Sequence, residues 1–371
     1  MVKPTTDIDH WHMGAALGLA SRGLGRVAPN PAVGCVIVNG DRVVGRGFTQ
    51  PGGRPHAETE ALRHAGDLAR GATAYVSLEP CSHHGATPPC ADALIAAGVA
   101  RVVVAMTDPD PRVSGAGVAR LRGAGIEVTE GVREAEARSV NEGFCLRVAG
   151  GRPLVTLKLA TSLDGMIGAL GGDSRWITGE EARRAGHLLR ARHDALLTGV
   201  GTVLADDPMM DCRIDGLDHL SPIRIVADTS LRTPPDSQLV MTARQVPLWI
   251  VTSEHAASTL GPRFRDMGVE VVAAPVADGR LDMRAVLGAL ARRGITRVLA
   301  ESGRALAGSL LRADLVDRVA WFRAAAMIGG DGITAVRSLG VVKVAAMPRF
   351  KPDGHVRLGQ DVLETYRRST Y

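Results

Sequence analysis

The sequence predicts an α/β protein built as two successive domains, each a helix-flanked sheet. Three observations carry this expectation. At roughly 100–200 residues per domain, a chain of 371 residues makes about two. Short β-branched runs alternate with helical segments along the chain. The composition also shifts at Ala149-Gly150-Gly151-Arg152-Pro153, where a helix stops and a new strand starts.

The first domain opens with a helix over residues 7–24, capped by Asp7 or Asp9 and apolar at Ala15, Leu17, Leu19 and Leu24. Two apolar runs, 32–39 and 42–48, flank Asn39-Gly40-Asp41 and read as a hairpin. A helix over 57–69, stopped by Gly71, leads to a strand over 72–78. Pro88-Pro89 opens a helix that ends at Gly98. A strand (101–106), a helix near 114–123, a strand (126–130) and a helix (133–148) complete the mixed sheet. In the second domain, strands are expected at 154–160, 194–198, 222–227, 247–252, 269–273, 296–300 and 316–322. Helices are expected at 179–192, 256–267, 281–293 and 303–312.

Composition narrows the function classes. The net charge is only +5 and aromatics are 3 %, with arginines scattered, which argues against a nucleic-acid groove. Five cysteines without regular spacing suit a reducing compartment and metal or catalytic use. The opening stretch lacks the basic and apolar regions of a signal peptide, and no run of 18 apolar residues exists. The expected location is the cytoplasm.

The chemistry concentrates at His56-Ala57-Glu58, Pro80-Cys81 and Pro89-Cys90. One imidazole and two thiolates give Zn²⁺ three ligands and leave the fourth position open for water. His56 and Cys90 fall at predicted helix starts, where the positive helix end favours thiolate. Bound zinc makes water acidic near neutral pH. Glu58, two residues from a ligand, is placed to move the proton. This pattern matches H-x-E with P-C-x-x-C of zinc nucleobase deaminases, except for eight residues between the cysteines. The bland reading is a structural zinc site completed by His64, His83 or His84. Cys35, Cys145 and Cys212 read as structural.

With these residues in place, the chain resembles the bifunctional riboflavin-biosynthesis deaminase/reductase family. The likeness rests on Asn30–Val38, His56-Ala57-Glu58 and Glu79–Cys90 in the first half. In the second half it rests on Lys158–Gly165, Ser174–Thr178, Gly201–Pro208, Pro222–Val226 and Glu301–Gly308. The eight-residue gap is that family's normal form. The resemblance implies a cytidine-deaminase-like domain over 1–150, zinc-dependent, followed by a dihydrofolate-reductase-like domain over 151–371, NADPH-dependent. It implies deamination of 2,5-diamino-6-(5-phosphoribosylamino)pyrimidin-4-one, then NADPH reduction of the product's ribosyl chain to ribityl. It further implies a small phosphorylated pyrimidine substrate, no nucleic-acid or membrane partner, and a homo-oligomer.

Carried over residue by residue, the resemblance assigns Thr161, Trp176, Thr202, Asp206 and the turn Gly303, Arg304, Ala305, Leu306, Ala307, Gly308 and Ser309 to NADPH. It assigns Asn30, Ser174, Arg190, Met210, Arg213 and Glu301 to substrate. Arg190 and Arg213 suit a phosphate, since guanidinium binds it bidentately. Lys158 sits in an apolar strand, where a lysine is costly unless paired; a role orienting substrate or cofactor is expected. No G-x-G-x-x-G supports a Rossmann fingerprint. Met209–Arg213 and Trp321–Gly329 depart from the family pattern, which bears on the pocket at Met210. Two rival functions remain: a nucleoside or RNA zinc deaminase with a C-terminal binding module, and a non-catalytic zinc protein that senses a dinucleotide.

Overall fold

The computed structural model describes residues 6–83, 88–111 and 113–369. It divides after Gly151 into two compact units. No helix among the described residues is long and apolar enough to cross a membrane.

In the first unit, α1 (Asp7–Ala20) precedes the hairpin β1 (Gly34–Asn39) and β2 (Arg42–Phe48). Then follow α2 (Ala57–Ala65), β3 (Thr73–Val76), α3 (Cys90–Ala96), β4 (Arg101–Val104), α4 (Ala116–Gly123), β5 (Glu127–Glu130), α5 (Glu134–Val140) and α6 (Glu142–Gly150). The sheet order is β2-β1-β3-β4-β5. β1 runs antiparallel to β2 and β3, and β3, β4 and β5 are parallel.

The helix bearing Glu58 lies directly on β2. Ala57, Ala61 and Ala65 face inward, and Gly45 and Gly47 remove the side chains that would hold the helix off. A Cβ at Gly45 would come 2.2 Å from the Ala61 carbonyl oxygen, and one at Gly47 equally close to that of Ala57. The expected helix 133–148 is instead two helices broken at Asn141. The Asn141 amide pairs with the Ala32 backbone, accepting from its N–H at 2.9 Å and donating to its carbonyl at 3.0 Å. That tertiary pairing overrides helix continuity and anchors the segment carrying Asn30.

The second unit begins with β6 (Leu154–Thr161), β7 (Met166–Gly168), α7 (Glu180–Ala191), β8 (Ala195–Gly199) and α8 (Val200–Asp206). It continues through β9 (Ile223–Ala227), α9 (Gln238–Met241), β10 (Leu248–Thr252), α10 (Glu254–Thr259), α11 (Gly261–Asp266) and β11 (Glu270–Ala273). After the short pair β12 (Val276–Ala277) and β13 (Arg280–Leu281) come α12 (Met283–Arg292), β14 (Arg297–Glu301), α13 (Arg304–Arg312) and β15 (Arg318–Arg323). β16 (Ile333–Thr334), β17 (Phe350–Leu358) and β18 (Asp361–Arg368) end it. The nine-stranded sheet runs β11-β10-β9-β8-β14-β6-β15-β18-β17. Its strands are parallel from β11 to β15, with β18 antiparallel to β15 and β17 antiparallel to β18. The core is the doubly covered parallel part, where Val155, Leu197, Ile225, Val298 and Ala300 are fully buried. The final hairpin, β17–β18, is absent from the expected elements, and the helix expected at 256–267 is two helices parted at Leu260-Gly261-Pro262.

Candidate functional site

In the first unit, two tight contacts aim the metal-binding side chains. His56 is the N-cap of α2, and Cys90 is the first residue of α3. Cys81 follows Glu79-Pro80. The buried Glu79 carboxylate accepts four backbone N–H groups, from Asp108, Gly115, Gly117 and Val118, at 2.9–3.2 Å. Such charge-assisted bonds are each worth about 1.5–3 kcal/mol, so the start of the Cys81 loop is firmly pinned. Gly117 completes the seat, because a Cβ there would sit 1.9 Å from the Pro80 carbonyl oxygen.

The ligand atoms of His56, Cys81 and Cys90 lie within 4.8 Å of one another. His56 Nδ1 is 3.2 Å from Cys90 Sγ and 3.7 Å from Cys81 Sγ. Tetrahedral zinc at Zn–N and Zn–S distances of about 2.1 and 2.3 Å separates its ligands by about 3.6 Å, so this donor set fits zinc. Among the described residues no fourth protein ligand joins the group. His64 is exposed and pairs with the Arg46 carbonyl oxygen, which removes it as a ligand. His83 lines the adjoining cavity instead, and His84 lies outside the described residues.

The thiols share a proton unequally. The Cys81 thiol is pulled down to about 4, first by the bond it receives from Cys90 and then by His56. Cys90 is pushed up by that same bond and by burial. Glu58 is 3 % exposed, and burial followed by the Cys81 charge raises its carboxyl to about 7. A cavity of about 270 Å³ opens onto the cluster. Asn30 lines it, as do Arg54, Asp108, Asp110, Phe144 and Arg147, none of which the sequence singles out. Gly53, at φ 85°, leaves room for the Asn30 amide.

In the second unit, Glu301 ends β14 and pairs in register with Lys158 of β6. Its carboxylate takes a bidentate pair from Arg190, both bonds 2.8 Å, and lies 3.6 Å from Lys158 Nζ. Lys158 also sits 5.7 Å above the Phe322 ring. Burial alone would lift the Glu301 carboxyl; Arg190 and Lys158 hold it well below the usual range. These residues wall a cavity of about 570 Å³. Lys158, Arg183, Arg184, Arg190 and Arg213 face it against Glu180, Asp215 and Glu301, an excess of cations that suits a phosphate.

A second cavity of about 460 Å³ is lined by Ser174, Asp206 and Met210, with Trp176, Arg190 and Arg213 shared between the two. Thr202 Oγ1 meets the Gly303 N–H at 3.4 Å, bringing together the starts of α8 and α13.

Several expectations need correction. The bidentate edge of Arg190 is taken by Glu301, and its other terminal nitrogen donates to the Asp211 carbonyl at 2.8 Å. It therefore fixes the wall, and Arg213 is the more open guanidinium. Thr161 is fully buried, its hydroxyl donating to the Ser162 carbonyl and accepting from the Trp321 indole, both at 2.8 Å. It is not among the residues lining either of the two cavities. Gly303–Ser309 is not one turn: Gly303 caps α13, and Arg304 and Ala305 are exposed. Leu306, Ala307 and Gly308 face the core, and Ser309 bonds back to the Ala305 carbonyl oxygen. Trp176 presents one open face, since Arg183 covers its ring at 4.7 Å. Met210 is 4 % exposed, so it contributes to the core as well as to the cavity.

Residues 6–106 match the cytidine and deoxycytidylate deaminase zinc-binding region, and residues 153–363 match the RibD C-terminal domain. The riboflavin biosynthesis protein RibD of Escherichia coli is 43 % identical over 365 residues, covering 95 % of this chain and 98 % of that protein. That of Aquifex aeolicus is 38 % identical, covering 98 % and 99 %. Among solved structures, Acinetobacter baumannii RibD superposes with TM-score 0.88 at 36 % identity, covering 98 % of this chain and 99 % of that one. A Thermotoga maritima diaminohydroxyphosphoribosylaminopyrimidine deaminase/5-amino-6-(5-phosphoribosylamino)uracil reductase gives 0.86 at 35 % identity, with the same coverage.

Proposed function

The chain belongs to the RibD family, the bifunctional deaminases/reductases of riboflavin biosynthesis, and from that premise we propose how its residues divide the work. Residues 1–150 deaminate the diaminopyrimidine phosphate with zinc, and residues 151–371 reduce the ribosyl side chain with NADPH. The observation that carries this is the convergence of His56, Cys81 and Cys90 around one point, with buried Glu58 beside them at the same cavity.

His56, Cys81 and Cys90 would hold zinc, which supplies Lewis acidity and acidifies a water it binds. Glu58 would carry the two protons of the attacking water in turn, the first to the ring nitrogen and the second to the departing amine, which leaves as ammonia. Burial raises the proton affinity of its carboxyl, which favours taking up a proton in the cavity. Asn30 orients the ring at the cavity wall. In the second half, Glu301 stays ionised between Lys158 and Arg190 and holds both cations at the substrate cavity. Arg213 offers its guanidinium to the phosphate. Ser174 and Met210 border substrate; Trp176, Thr202, Asp206, Gly303, Arg304 and Ala305 border the cofactor.

The cysteines are all free thiols, which supports a reducing, cytoplasmic setting. The exposed edge strand β17, together with exposed Val342 and Val344 in the segment before it, supports a homo-oligomer. The small cavities favour a phosphorylated pyrimidine over nucleic acid.

The test is to incubate the protein with the diaminopyrimidine phosphate and NADPH and to follow ammonia and NADPH absorbance separately. Both signals are expected, ammonia first. Ammonia without NADPH oxidation would refute the reductase reading, and neither signal would refute both.

A further inference from the structure

His187 and Arg190 lie three residues apart on α7, so both face the same way, toward the loop after Pro208. Both meet the Asp211 carbonyl oxygen, Arg190 through Nη1 at 2.8 Å and His187 through Nδ1 at 3.2 Å. The Arg213 N–H points at the same His187 Nδ1 from 3.1 Å. Nδ1 thus faces one donor and one acceptor: with the ring proton on Nε2 it accepts from the Arg213 N–H, and with the proton on Nδ1 it donates to the Asp211 carbonyl instead. Burial, then Arg190 and Arg213, lower the imidazole's proton affinity and favour the neutral ring. Nε2 has no partner among the described residues, and His187 lines the 570 Å³ cavity. In the tautomer that accepts from Arg213, the ring is held by its inner nitrogen and offers the cavity a single uncharged N–H beside Arg184 and Arg213.

We propose that His187 is a substrate-contacting residue of the reductase site, its Nε2–H donating to a phosphate oxygen of the phosphoribosyl substrate. This rests on the reading of that cavity as the reductase's substrate site. The bond supplies direction where the guanidiniums supply charge. Phosphate is also present on NADPH, and the two sources separate kinetically.

The test uses the full chain with already deaminated substrate, comparing wild type, His187→Ala and His187→Gln. Losing one such bond to a charged oxygen raises KM by about tenfold. The expected result is that rise for the phosphorylated substrate in His187→Ala, with KM for NADPH unchanged. With 5-amino-6-ribosylaminouracil, which lacks the phosphate, wild type and His187→Ala should have equal KM. Gln, whose amide N–H reaches a similar point, should restore most of the loss. An equal rise with both substrates, a rise for NADPH instead, or no rescue by Gln would overturn the proposal. Absence of NADPH oxidation by wild type would bring down the reductase reading, and this proposal with it.

Discussion

His56, Glu58, Cys81 and Cys90 fall within a short stretch of chain, on two helix starts and one loop. Lys158, Arg190, Arg213 and Glu301 are drawn from two strands, a helix and a loop spread over most of the second unit. The first site is fixed by what its residues are, because a metal demands particular donors at particular distances. The second is fixed by what its residues neutralise. Glu301 exists there as an anion only because two cations face it. One site should therefore fail through chemistry and the other through electrostatics and packing.

The largest effect expected is on the deaminase. Glu58→Ala removes the proton carrier and leaves all three metal ligands, so kcat for ammonia release should fall by about 10²–10⁴-fold. Zinc content by metal analysis and NADPH oxidation with deaminated substrate should be unchanged. Undiminished ammonia release would break the assignment.

Glu301→Ala probes the other half. It strands Lys158 and Arg190 in a largely enclosed wall, and removing one partner of a buried pair typically costs about 3–5 kcal/mol. Chemical denaturation should show the second unit destabilised by that order, with reductase activity lost and deaminase activity kept. Full stability in this variant would mean the ion triad does not hold the site.

The zinc site was legible in the sequence because short spacings carry it: His56-Ala57-Glu58 needs only a helix start to place ligand and shuttle together. What seats it was not. Glu79's four backbone partners and the Gly117–Pro80 approach join parts of the chain whose contact no local pattern encodes. In the second half the alternation of strands and helices gave the layers, while the pairing of Glu301 with Arg190 depended on tertiary proximity. His187 was missed although it lies three residues before Arg190 on the same helix, a spacing that a search for shared helix faces would have found. The β17–β18 hairpin was missed because β17 is largely polar and exposed and β18 is partly buried along nearly its whole length, so neither shows the alternation that marks a strand.

Gly117→Ala tests the seat. The added methyl must displace Pro80-Cys81 or α4, and zinc affinity by competition with a chelator should weaken by about 10–100-fold, as for loss of other outer supports of a metal ligand. Unchanged affinity would show that the Cys81 loop adjusts freely.

The last expected effect is a pH dependence confined to the second unit. His193 is buried, its Nδ1–H donating to the Leu189 carbonyl at 2.7 Å and its Nε2 accepting from Thr156 Oγ1 at 3.0 Å. Burial and then Arg297 lower it from 6.5 to about 3. A folded value below the unfolded one means the contribution is complete above 6.5. It is lost as pH falls from 6.5 toward 3, at no more than about 1.4 kcal/mol per pH unit. The stability advantage of wild type over His193→Gln at pH 7.5 should shrink across that window, read by denaturation at several pH values. A constant advantage would mean the histidine titrates alike in the folded and unfolded chain.

The claim beneath all of these is that one chain holds two sites of different physical origin, only one of which depends on zinc. Stripping zinc from the protein with a chelator and measuring both half-reactions on the same preparation tests it most directly. The account predicts that ammonia release from the diaminopyrimidine phosphate disappears and returns with added zinc, while NADPH oxidation with deaminated substrate persists throughout. Ammonia release that survives zinc removal, or NADPH oxidation that vanishes with it, would contradict the account.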